Sequence, residues 1–115
     1  MTPLFRPTDL VNENEFRSAV QSVEDDFPSE IEHIRYTVHD DWSDDPAIFF
    51  RVLLKDNPDL MTFSGLDDPR FMAAFELSGR ITSALRTAVK AFRLPSYFAF
   101  RWVSEQKEIN DPDWN

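Results

Sequence analysis

The stretch DDWSDDPAIFFRVLLK, residues 40–55, decides the fold. Two aspartate pairs, Asp40–Asp41 and Asp44–Asp45, flank Trp42 and Ser43, and Pro46 follows. Short polar side chains bond to neighbouring backbone and proline presets φ, so residues 40–46 read as a loop. After it, Ile48, Phe50, Val52 and Leu54 alternate with Phe49, Arg51, Leu53 and Lys55. Period two is the signature of a strand, here residues 47–55, and both of its faces are largely apolar.

Upstream, Ile34, Tyr36 and Val38 alternate with His33, Arg35, Thr37 and His39, so residues 30–39 predict a strand with one buried and one polar face. A short loop between two strands predicts an antiparallel hairpin.

Further out the period changes. Phe16, Ala19, Val20, Val23 and Phe27 form one apolar stripe over a helix at 12–26. Asn12 and Glu15 have capping-box spacing, and Pro28 stops the helix. Asp68 followed by Pro69 marks an N-cap and first helical residue. Phe71, Phe75, Ser78, Ile81, Leu85, Ala88 and Phe92 then carry a helix over 69–93, where Gly79 predicts a close approach to the sheet. Pro95 ends it, and Phe98, Phe100 and Trp102 alternate with Tyr97, Ala99, Arg101 and Val103 in a third strand, 96–104. Residues 1–11 read as a partly docked arm through Leu4, Phe5, Leu10 and Val11. Residues 56–68 read as a long connection with Leu60, Met61 and Phe63 tucked inward, and the remainder as a polar tail ending near Trp114.

The order α-β-β-α-β predicts a single α+β domain over residues 1–115, a two-layer sandwich. Its small, mainly antiparallel sheet carries both helices on one face. Whether the third strand lies beside the first or the second stays open. Eleven Phe supply the core, each contributing about 1.5–3 kcal/mol when fully buried.

The chain has no Cys, which removes disulfides, thiol catalysis and thiolate zinc sites. No apolar run approaches membrane-spanning length, and MTPLFRPTDL lacks the pattern of a signal peptide, so the expectation is a cytoplasmic protein. Net charge is −9, concentrated in residues 1–68 with 16 acids and 5 bases. A negative surface repels phosphate backbones and argues against direct nucleic-acid binding. With two Gly there is no glycine-rich phosphate cradle, and no G-x-S-x-G, P-loop or H-E-x-x-H is present. The chain therefore reads as non-enzymatic and without a cofactor.

Two surfaces remain. In the acidic loop, Asp41, Asp44 and Asp45 with Asp40 either form a solvated turn, hold a cation without EF-hand spacing, or receive a basic partner with Trp42 as the aromatic anchor. On the strands, Arg35, Arg51 and Arg101 fall on the face away from the helices. They pair with Glu32, Glu105 or a partner's carboxylate, or bind an anion. That face also carries Phe49, Leu53, Tyr97 and Val103, the composition of an interface. It predicts docking of a partner or a homodimer, unless the arm or tail covers it through Phe5 or Trp114. His33 and His39, six residues apart on an extended strand, do not share a site.

DDWSDDPAIFFRVLLKD and the later YFAFRWVSEQ resemble a group of small bacterial proteins with an acidic-Trp loop, a D-P-A-(apolar)-F-(apolar)-R-V strand and a closing strand running into S-E. The matching residues are Asp41, Trp42, Asp45, Pro46, Ala47, Phe49, Arg51, Val52, Ser104 and Glu105, within segments covering about a quarter of the chain. Such proteins are often encoded beside HEPN-type proteins, many of them ribonucleases. The resemblance implies a partner or modulator in such a pair and brings no catalytic residues. The expected function is a protein-interaction module. The alternative is a small-ligand or metal-binding module using the acidic loop and the sheet arginines.

Overall fold

A computed structural model describes residues 13–61, 65 and 67–115 of the chain. The arm at 1–11, the Asn12 cap and Phe63 lie outside them. Helix α1 spans Glu13–Asp26, strand β1 Ile31–Asp40 and strand β2 Pro46–Leu54. A short helix α2, Pro58–Met61, interrupts the connection, and Leu60 packs against the core. Helix α3 spans Pro69–Val89, and a 3-10 turn at Lys90–Phe92 leads to strand β3, Ser96–Trp102. Helix α4, Val103–Ile109, and a 3-10 turn at Pro112–Trp114 follow.

The fold is α+β, and its sheet is mixed rather than mainly antiparallel. Strand order is β1-β2-β3, with β1 antiparallel to β2 and β3 parallel to it. The hairpin forms as its turn chemistry dictates, with Asp40 opposite Pro46. The parallel pair follows from helix length. At 1.5 Å per residue, the 21 residues of α3 run about 31 Å back along the sheet. The next strand then starts at the same end as β2, the geometry of a β-α-β crossover.

Asp68 caps α3: its backbone is extended and its Oδ1 accepts from the Arg70 N–H at 2.9 Å. The core joins Phe16, Val20 and Val23 of α1 to Leu77, Ile81, Leu85 and Val89 of α3 over Ile34, Ile48, Phe50, Val52 and Leu54 of the sheet. Phe16 is its aromatic hub, edge-on to Tyr36 at 4.5 Å and to Phe92 at 5.1 Å. Gly79 does not approach the sheet. It is exposed, and a Cβ built there meets nothing within 4 Å.

The third strand ends at Trp102, two residues early, because the chain enters α4. Glu105 accepts the Trp102 N–H at 3.0 Å, and Asp56 accepts the Ser104 N–H at 3.0 Å across the fold. Among the described residues no helix is long and apolar enough to cross a membrane.

Candidate functional site: an aromatic strip beside an acidic turn

The sheet face away from α1 and α3 is laid out in rungs by strand register. Arg35, Arg51 and Ala99 are opposite one another, as are Thr37, Phe49 and Tyr97. Leu53 stands between His33 and Arg101.

The arginine half of this face is covered by the chain itself. Arg51 Nε donates to the Asp113 carbonyl at 2.8 Å, and an Arg35 terminal nitrogen donates to the Asn115 carbonyl. The Arg101 guanidinium lies 4.2 Å from the Trp114 ring centre and donates to Gln106 Oε1 at 2.7 Å, with Asp111 at 3.9 Å. Buried Gln106 donates in turn to the Asp111 carbonyl and to Asn115 Oδ1, so the segment folds back on itself. Trp114 is only 6% exposed as a result. The arginines thus meet the tail rather than Glu32 or Glu105. Of the two segments expected to cover this face, the tail does so, and Phe5 lies outside the described residues.

Among the described residues, the tail leaves the aromatic half uncovered. The His39 ring stacks on Phe49 at 4.0 Å, Phe49 on Tyr97 at 5.1 Å, and Trp42 leans over Tyr97 at 4.9 Å. Four rings thus run across the sheet from the β1 edge to the hairpin loop. His39 Nδ1–H donates to the Asp40 carbonyl at 2.9 Å, which sets its tautomer, since a carbonyl only accepts. His33 is elsewhere, 3.4 Å from Glu24 Oε1, so the two histidines form no common site. Between the strip and the tail a groove of about 370 Å³ is lined by Phe49, Arg51, Tyr97, Asp113 and Trp114, among others.

Asp41 builds the loop that carries Trp42. Its Oδ1 accepts the N–H of Ser43 at 2.8 Å and of Asp45 at 3.2 Å, and its Oδ2 accepts the Tyr97 hydroxyl at 3.0 Å. Its backbone N–H donates to the Asp45 carbonyl, closing the turn at 2.8 Å. Asp44 sits in the left-handed region at φ 62°, which aspartate tolerates better than most residues. Burial raises the Asp41 carboxyl, but its three donors outweigh that and hold the pKa below the ordinary aspartate value. The bond to Asp41, burial and the neighbouring charges of Asp41 and Asp45 push the Tyr97 hydroxyl up.

Of the sequence-derived site residues, Trp42, Asp41, Asp44 and Asp45 form one turn beside the open strip. Arg35, Arg51 and Arg101 support the covered half. Among the described residues no three His, Asp or Glu side chains gather as a metal site. Trp42 is 78% exposed. Of the large exposed apolar side chains described, Trp42, Met72, Phe75 and Ile109, it is the one that joins a ring stack beside carboxylates. The sequence puts Phe49 and Tyr97 on the outer face and His39 on the polar side of its strand, but does not join the three into one strip. Their alternation places them on this face, but their adjacency depends on β3 lying beside β2. No family model matches the chain, no curated protein is significantly similar to it, and no solved structure is a significant match.

Proposed function

We propose that the protein is a non-enzymatic interaction module that binds a basic protein partner through the ring strip His39–Phe49–Tyr97–Trp42 and the acidic turn beside it. The observation that carries this reading is Trp42, 78% exposed yet held in place by a tilted ring contact with Tyr97 and by the Asp41 turn. A preordered, exposed tryptophan gives large contact area for little entropy lost on binding. The exposed Trp42 ring attracts lysine and arginine, at about 0.5–2 kcal/mol per cation–π contact. Asp40, Asp44 and Asp45 around them, with the overall charge of −9, steer a basic surface inward and repel phosphate backbones.

The resemblance of the loop and strands to proteins encoded beside HEPN-type ribonucleases makes such an enzyme the partner class favoured here, and a cytoplasmic setting fits it. The small-ligand and metal reading loses its arginines to the tail. Homodimerisation through the whole outer face requires the tail to leave.

Affinity capture from the native host with wild type and Trp42→Ala, quantified by mass spectrometry, tests the proposal. Basic proteins, a HEPN-type protein among them, should be lost about tenfold or more from the Trp42→Ala capture, equivalent to about 1.4 kcal/mol. The pair Asp44→Asn and Asp45→Asn should weaken binding and flatten its salt dependence. Equal recovery by all three proteins removes this surface from consideration.

A further inference from the structure

The two edges of the sheet differ. At β1 the outward Ile34 N–H is occupied by Glu24 Oε1 of α1 at 2.6 Å, and His33 stands 3.4 Å from the same oxygen. A carboxylate of α1 therefore guards this edge at Ile34.

At β3 the situation is the reverse. Ile48 N–H donates to the Pro95 carbonyl at 2.8 Å, and Ile48 is in register with Ser96. In a parallel ladder that arrangement turns the amides of Tyr97, Ala99 and Arg101 toward β2. The N–H and C=O groups of Ser96, Phe98 and Phe100 therefore point outward, and no hydrogen bond to them is present among the described residues. Residues 96–100 of this edge, SYFAF, carry no charge, no proline and no bulge. Among the described residues, none of the usual devices that discourage strand addition is present over 96–100.

Side chains above and below this edge specify what would pair with it. On the outer face Tyr97 stands at the edge, with Trp42 leaning over it and Asp41 bonded to its hydroxyl. On the helix face Phe98 and Phe100 are half-buried against the core, and the Arg86 guanidinium lies 5.2 Å from the Phe98 ring centre. A strand laid beside β3 sends alternate side chains to these two sides. One set meets rings and carboxylates, and the other meets phenylalanines.

We infer that the free edge of β3 binds an extended segment of the partner by strand addition, with alternating basic and apolar residues, the basic ones facing Trp42, Tyr97 and the acidic turn. Main-chain bonds supply affinity and the alternate pockets supply specificity. The occupant is a basic chain rather than a second copy of this one, because two copies of net charge −9 meeting at this edge bring two acidic turns toward one surface. The inference rests on the reading of Trp42 and its strip as a recognition surface, and adds to it the backbone mode and the pattern of the bound segment.

The test uses the full chain and a synthetic peptide alternating lysine and valine, as long as the 7 residues of β3. Titration calorimetry should show binding. The same peptide with its backbone amides methylated, and a glutamate–valine version, should each bind at least ~10-fold more weakly. Ser96→Pro, which removes an outward N–H at the first position of β3, where proline is tolerated, and takes no side chain from the core, should cause a similar loss while leaving the melting temperature within a few degrees. If the methylated peptide binds as well as its parent, the strand-addition inference fails and recognition of a basic partner by Trp42 stands. If methylation abolishes binding but Trp42→Ala does not weaken it, the edge stands and the role of Trp42 falls. Failure of the lysine–valine peptide to bind overturns the inference. So does a dimer in sedimentation that Ser96→Pro abolishes, since the occupant is then a second copy.

Discussion

The Tyr97 hydroxyl donates to Asp41 Oδ2 across 3.0 Å, tying the last strand of the sheet to the hairpin loop between the first two. The bond joins positions 56 residues apart and sets the height at which Trp42 stands over the sheet. Its two ends respond to pH in opposite senses. Asp41 has a lowered pKa when folded, so its contribution is present above the unfolded aspartate value and is lost as pH falls through the lower folded one. Tyr97 has a raised pKa, so its contribution is complete below the unfolded tyrosine value, about 10, and is lost as pH rises through the higher folded one. The tether therefore holds across the neutral range and opens at both extremes. Asp41→Asn should move the Tyr97 ionisation, followed by tyrosinate absorbance, to lower pH. An unmoved midpoint would show that the bond does not form in solution.

The tail and the core predict different kinds of instability. Phe16 is 1% exposed and touches the rings of Tyr36, Phe50 and Phe92, so no local movement can refill its space. Phe16→Ala should cost about 3–5 kcal/mol and lower the melting temperature of the whole domain.

Trp114 is almost as buried, but what holds it is one cation–π stack and side-chain bonds to tail carbonyls. Its loss costs at most the free energy that keeps the tail docked, because the segment can detach while the core stays closed. Trp114→Ala should therefore leave the global melting temperature within a few degrees. It should also raise hydrogen exchange at residues 110–115 and open the chain to protease after Asn110, whose left-handed φ of 54° marks the bend. A fall in melting temperature comparable to that of Phe16→Ala would instead place the tail inside the cooperative unit.

What could be read from the sequence followed the range of the interactions. The hairpin of β1 and β2 and the Asp68–Pro69 start of α3 are short-range chemistry, and alternation placed Arg35, Arg51 and Arg101 on one face. The neighbour of β3 was not readable, because alternation gives a strand's faces but not its partner. That gap hid the strip, since Phe49 and Tyr97 stack only when β3 lies beside β2. Helix α4 was missed for a different reason. Its inward position is Gln106, a polar residue buried because Arg101, the Asp111 carbonyl and Asn115 satisfy its amide. An apolar-period search cannot see such a helix.

Gly79 shows the same limit, and it can be put to use. A glycine in mid-helix suggests close packing, yet this one faces solvent with open space where its Cβ would be. Nothing among the described residues needs its lack of a side chain, and its φ is not positive. Its remaining effect is on the unfolded chain, which has more conformations to lose at glycine than at alanine. Gly79→Ala should therefore stabilise the domain by about 0.5–1 kcal/mol, because alanine also has the higher helix propensity. The gain should appear as a higher denaturant midpoint with an unchanged slope, since the surface exposed on unfolding is nearly the same. Destabilisation by this substitution would mean that a partner or a segment outside the described residues packs against α3 at that position.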